Sequence, residues 1–130
     1  MKFALVLASV AALVFAKMEG CEKATVRGPA GKQLTLAVPG AFSIQRGRVE
    51  PLQVGLKREN FTAAVRVSLS KLPKGVSARQ DSQTVETDAA AFVLEASKDA
   101  DLVTNHVVTV TAEGPDGMTV TENVNLTVKE

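Results

Sequence analysis

From Lys32 onward, apolar residues recur at every second position rather than at every third and fourth, and this period of two restricts the chain to β-strands with one buried face. Leu34, Leu36 and Val38 alternate with Gln33, Thr35 and Ala37 until Pro39-Gly40. Leu52, Val54 and Leu56 follow, with Pro51 predicting an edge or a bulge at the start of that strand, because proline has no N–H for a ladder. Ala63, Val65, Val67 and Leu69 face one way, and Arg66, Ser68 and Ser70 the other. Pro73-Lys74-Gly75 reads as a turn, with Gly75 able to take positive φ.

Weaker patterns predict short strands over 76–80 and 84–86. Ala90, Phe92, Leu94 and Ala96 give the next inward set; Asp88 would cap a helix over the same residues, but the alternation favours a strand. The last two strands are the clearest. Val108, Val110 and Ala112 share one parity, as do Met118, Val120, Val124, Leu126 and Val128, with Gly114-Pro115-Asp116-Gly117 between them as a hairpin connection. Glu122 breaks the pattern at an inward position, which predicts a bulge or a strand that has outrun the core. Thr109, Thr111, Thr119, Thr121 and Thr127 line the opposite, solvated face. About seven short strands with no amphipathic helix predict an all-β domain of two antiparallel sheets packed face to face over 32–130. No internal repeat or low-complexity segment is read in the chain.

Residues 1–16 set the expected location. Lys2 precedes an apolar run from Phe3 to Ala16, and Val14-Phe15-Ala16 places branched and small residues where a signal peptidase reads them, so cleavage is expected after Ala16. The run is shorter than the about 20 apolar residues of a membrane-spanning helix. Residues 17–31, with Gly20, Gly28, Pro29 and Gly31, are expected to form a flexible tether. Cys21 is the single cysteine, which leaves no intramolecular disulfide and two readings, a free thiol or a lipidation site; the charges at Lys17 and Glu19 disfavour lipidation.

Composition narrows the function classes. Lys and Arg total 15 against 14 Asp and Glu, and removal of Lys2 balances them, so no net field draws in nucleic acid or an anionic membrane. The basic groups Arg46/Arg48, Lys57/Arg58 and Lys71/Lys74/Arg79 are interspersed with Glu50, Glu59 and Asp81, as on an ordinary soluble surface. There is no Trp or Tyr, and Phe42, Phe61 and Phe92 are the aromatic residues left for the domain, which disfavours ring-stacking ligand surfaces. His106 is the single histidine; its parity points it at the core margin, where backbone hydrogen bonding is expected, and no Gly-x-Ser-x-Gly elbow accompanies it. Zinc or copper would need several His or Cys ligands. Asp99-Ala100-Asp101 resembles the start of a calcium loop, with Glu86 and Asp88 as further carboxylates, but Val103 and the missing glycine break the pattern. Asn60-Phe61-Thr62 and Asn125-Leu126-Thr127 match the glycosylation sequon. No catalytic, cofactor-binding or metal site is therefore assigned.

Gln45-Arg46-Gly47, Arg58-Glu59-Asn60-Phe61 leading into Val65, and Leu72-Pro73-Lys74-Gly75-Val76 occur in that order. Over about residues 33–128 the chain resembles the Ig-like or fibronectin-type-III-like β-sandwich modules of bacterial exported proteins. His106 stands where that family often has a histidine or an aromatic residue. The resemblance implies a non-catalytic accessory module in the cell envelope or outside the cell. The expectation is thus an exported Ig-like module that binds or spaces another envelope or extracellular protein, through loops or an unpaired sheet edge, with membrane association only if Cys21 is lipidated. A carbohydrate- or metal-ion-binding accessory and a small secreted protease inhibitor are the alternatives.

Overall fold

The computed structural model describes residues 21–130. The expected signal peptide, its cleavage after Ala16 and the first residues of the expected tether lie outside the described residues. Ten strands occur in chain order: β1 (Cys21–Arg27), β2 (Gln33–Pro39), β3 (Ala41–Gln45), β4 (Val49–Glu59), β5 (Val65–Ser70), β6 (Val76–Ala78), β7 (Ser82–Val85), β8 (Ala89–Ala96), β9 (Val103–Glu113) and β10 (Thr119–Lys129). They form two five-stranded sheets, ordered β1-β2-β4-β8-β6 and β3-β10-β9-β5-β7. The chain is a β-sandwich.

The predicted parities, joined by Ile44 of β3, for which the sequence predicts no strand, build its core. Leu34, Leu36, Val38, Leu52, Val54, Leu56, Phe92 and Leu94 from the first sheet meet Ile44, Val65, Val67, Val108, Val110, Val124 and Leu126 from the second, all almost fully buried. Each such side chain contributes about 1.5–3 kcal/mol of apolar burial. Residues 89–96 are a central strand, as the alternation requires, and Phe92 is fully enclosed. Phe42 and Phe61 are half-buried against the same core.

Four features differ from the sequence-based expectations. The first is the tether: residues 21–27 are strand β1, paired antiparallel along its length with β2, with Ala24 and Val26 packed on the core. The second is strand direction and number. The described residues form ten strands rather than about seven, and β3 lies parallel to β10 (Ala41↔Asn125 to Gln45↔Lys129). After Pro39-Gly40 the chain passes from the first sheet to the second, where the Gly40 carbonyl accepts from Asn125 N–H (2.9 Å) at the start of the β3/β10 pairing.

The third is the position of irregularities. Glu122 pairs in regular register with Val110, without a bulge; the register instead shifts between Leu126 and Val128, opposite Thr104 and Asn105. Asn105 takes φ 53° there and its N–H reaches the Thr127 hydroxyl. β3 covers β10 only from Asn125 onward, so Glu122 sits on a stretch of β10 that is a sheet edge. An inward-pointing charge on an edge strand obstructs pairing with another chain.

The fourth is a repeat. Gly28-Pro29-Ala30-Gly31 and Gly114-Pro115-Asp116-Gly117 join β1 to β2 and β9 to β10. Both are single 3-10 turns whose third residue (Ala30, Asp116) has φ 59°, ψ 31°, and both close with the same bonds: Gly28 N–H to Lys32 carbonyl and Gly114 N–H to Met118 carbonyl, each 2.8 Å.

Pro51 is accommodated as expected of an edge. Val93, opposite Pro51, turns its carbonyl away to Arg79 N–H (3.0 Å), so the Pro51 nitrogen faces the β2 side of β4. β2 pairs with β4 only from Gly55 to Glu59, and no donor is required there.

Candidate interaction surfaces

Two of the motifs singled out in the sequence, Gln45-Arg46-Gly47 and Leu72-Pro73-Lys74-Gly75-Val76, converge on one end of the sandwich. Arg46 N–H bonds the Lys129 carbonyl (2.8 Å), Gly47 N–H the Ala96 carbonyl (2.8 Å), Ser97 N–H the Gly75 carbonyl (2.9 Å) and Asp101 N–H the Lys74 carbonyl (3.1 Å). The Arg46 guanidinium donates through Nε to the Ala100 carbonyl at 2.8 Å. Gly75 has φ 86°, and a Cβ there would lie 2.5 Å from Ala100 Cα. The Leu-Pro-x-Gly-Val segment therefore needs its glycine both for backbone conformation and for the close approach of 97–101. Ala100 is fully buried, so Asp99 and Asp101 flank a packed residue rather than lining one loop. Among the described residues no group of three or more His, Cys, Asp and Glu side chains gathers around a common point.

His106 lies at the margin of this end. The β9 irregularity at Asn105 precedes it directly, and its Nε2 lies 2.8 Å from the Lys71 carbonyl. Lys71 itself is left-handed (φ 65°), where β5 leaves the sheet. With a carbonyl as partner, Nε2 must carry the proton and donate. The imidazole thus holds a strained backbone corner, with the parity and the backbone bond expected from sequence.

At the opposite end Arg58 has the corresponding role. Its guanidinium donates to the carbonyls of Ala63 (2.9 Å), Val85 (2.6 Å) and Thr87 (2.7 Å), and Asp88 Oδ1 lies 3.8 Å away. This fork ties the loop after β4 to the loop before β8. Asn60, also left-handed (φ 63°), donates from Nδ2 to the Gly31 carbonyl at 2.6 Å, so the first sequon's amide is engaged with the first Gly-Pro-x-Gly turn. Sequence reasoning assigned Arg58 to a solvated charge group; nothing local in Lys-Arg-Glu-Asn distinguishes a clamp from a surface arginine.

The long sides of the sandwich carry the remaining hydrogen-bonding capacity. On one side β1 ends its sheet; Gly28 N–H points to β2, so by alternation Thr25 and Arg27 turn their backbone groups away from it. Cys21, half-buried at the start of β1, has its thiol pushed up above the usual range by burial, then by the Glu22 charge, with Glu122 on β10 adding a smaller push and Lys23 opposing. On the other side, β6 covers β8 only from Leu94 to Ala96. The open half of β8 meets β7 across a groove of about 430 Å³ lined by Arg79, Gln80, Gln83, Ala91 and Val93.

The fold and these surfaces define the chain as a two-sheet β-sandwich. It matches no protein-family model, and no curated protein matches it.

Proposed function

We propose that this protein is an exported, non-catalytic module of the Ig-like or fibronectin-type-III-like kind that holds or spaces another envelope or extracellular protein. The observation that carries the reading is the His106–Lys71 bond: the one imidazole of the sequence, which any Ser-His or Cys-His arrangement would need, serves as a backbone staple. Arg46 and Arg58 are likewise engaged with main-chain carbonyls.

The strand order supports the Ig-like part of the reading. The run β2-β4-β8-β6 follows the A-B-E-D order of an Ig sheet and β10-β9-β5 the G-F-C order of its partner. The chain departs from that plan in two places. β1 is added outside β2, and β6 joins the first sheet before β7 joins the second. Export rests on the sequence of residues 1–16 alone.

Crosslinking of the native protein in its host, followed by identification of what it captures, tests the reading. A discrete envelope or extracellular protein is the expected product. Turnover of a substrate by the purified domain, abolished by His106→Phe in a folded protein, would overturn it.

A further inference from the structure

We propose that the groove between β7 and the open half of β8 is a carboxylate-binding site that takes an extended peptide segment of the partner. The inference rests on the interaction-module reading above and specifies its chemistry. On β8, Leu56 N–H bonds the Asp88 carbonyl and Ala96 N–H the Arg48 carbonyl, so the even-numbered residues turn their backbone groups to β4. The odd-numbered residues Ala89, Ala91 and Val93 turn theirs to the outer edge. All three outward carbonyls are already engaged: Ala89 by the Thr87 hydroxyl (2.9 Å), Ala91 by Gln83 Nε2 (2.8 Å) and Val93 by Arg79 N–H (3.0 Å). By the same alternation the amides of Ala91 and Val93 face the outer edge, where both residues line the groove beyond the end of β6.

The edge thus presents donors with its acceptors masked. A neutral strand, which must donate and accept in alternation, is obstructed by the Gln83 side chain; a group that only accepts is not. Arg79 adds charge of the matching sign. Its Nε is bound to Glu95 Oε1 at 3.0 Å, its side chain is more than half exposed, and its two terminal nitrogens remain for a second carboxylate. Ala91 and Val93 supply an apolar floor, and Gln80 a further amide. Glu95 is the competing carboxylate of the site. Backbone N–H groups that converge with a cation are a recurrent means of capturing a peptide's terminal carboxylate, and the volume is within the range of small-ligand sites.

The test is titration of the ¹⁵N-labelled domain with three forms of one short Val/Thr peptide. These are the free acid, the C-terminal amide, and the amide with its last residue replaced by Glu. Saturable shifts of the Ala91 and Val93 amide resonances by the free acid, at least tenfold weaker with the amide, are expected. Arg79→Gln should weaken the free acid by at least tenfold, while Glu95→Gln should tighten it. Equal binding of the Glu-bearing amide would assign the ligand to an acidic side chain rather than a chain terminus, with the same chemistry. Absence of shifts at millimolar free acid, or equal binding of the free acid and the simple amide, would overturn the site. A partner captured by crosslinking in the host would in that case leave the interaction-module reading standing.

Discussion

Lys32 Nζ and Asp116 Oδ2 form a salt bridge that joins two Gly-Pro-x-Gly turns of the same conformation, one from each sheet. Its partners are partly exposed, so the pair itself contributes little, about 0–1 kcal/mol. The packing beneath it is worth more. A Cβ on Gly28 would lie 2.5 Å from Met118 Sδ and 2.8 Å from its Cγ, and Met118 is buried. Lys32→Met should therefore shift the urea midpoint only slightly. Gly28→Ala should destabilise by about 1–3 kcal/mol, as overpacking does, and Gly28→Ala combined with Met118→Ala should cost less than the sum of the two. Additive costs would show that the turns do not pack as described.

Arg58→Lys should cost about 2–3 kcal/mol, because an ammonium cannot reproduce a planar fork to three carbonyls and leaves some without donors. Equilibrium denaturation measures it. A loss no greater than that of an exposed charge would mean the clamp is not formed.

Much of the fold is legible from parity alone. Leu34, Leu36, Leu52, Val54, Phe92 and Val110 are buried where the alternation puts them, because one buried face is enough to set a strand's register. Strand β1 is not legible in this way. Cys-Glu-Lys-Ala-Thr-Val-Arg has only Ala24 and Val26 as its inward apolar pair, and its pairing comes from the β2 edge it completes. The repeat of the two turns is not apparent in sequence, because Gly28-Pro29-Ala30-Gly31 falls within a glycine-containing stretch that reads as a tether. The backbone role of His106 is legible from its parity, whereas the β8 groove has no sequence signal: its donors are backbone amides, and its wall is Gln83 from the other sheet.

Glu122→Val should raise the melting temperature, since it replaces a half-buried carboxylate facing Val110 with an apolar side chain. It should also increase self-association, because the charge that obstructs the β10 edge is gone. Thermal unfolding and analytical ultracentrifugation read the two effects. A destabilised, monomeric variant would contradict the edge reading.

The Cys21 thiol has a pH signature. Burial and the Glu22 and Glu122 charges favour its neutral form, so its folded pKa is raised above the unfolded value. Such a group adds stability below the unfolded pKa and loses it as pH rises through the folded one, since the unfolded chain releases the proton first. Alkylation by iodoacetamide should be slower in the folded domain than in urea at mildly alkaline pH, with its rate rising at higher pH than for the unfolded chain. A folded-state profile displaced to lower pH would contradict the environment described for β1.

Under the proposed function the protein holds a partner rather than performing chemistry, and His106 acts only on the backbone. Replacing the chromosomal copy in the host with His106→Phe, and measuring the host phenotype alongside the level and melting temperature of the folded protein, decides between the two roles of the ring. The ring shape is kept, and the bond to the Lys71 carbonyl is lost, at a stability cost of about 1 kcal/mol. An undiminished phenotype is expected wherever folded protein is present at its normal level. Loss of the phenotype with a folded protein at that level would contradict it.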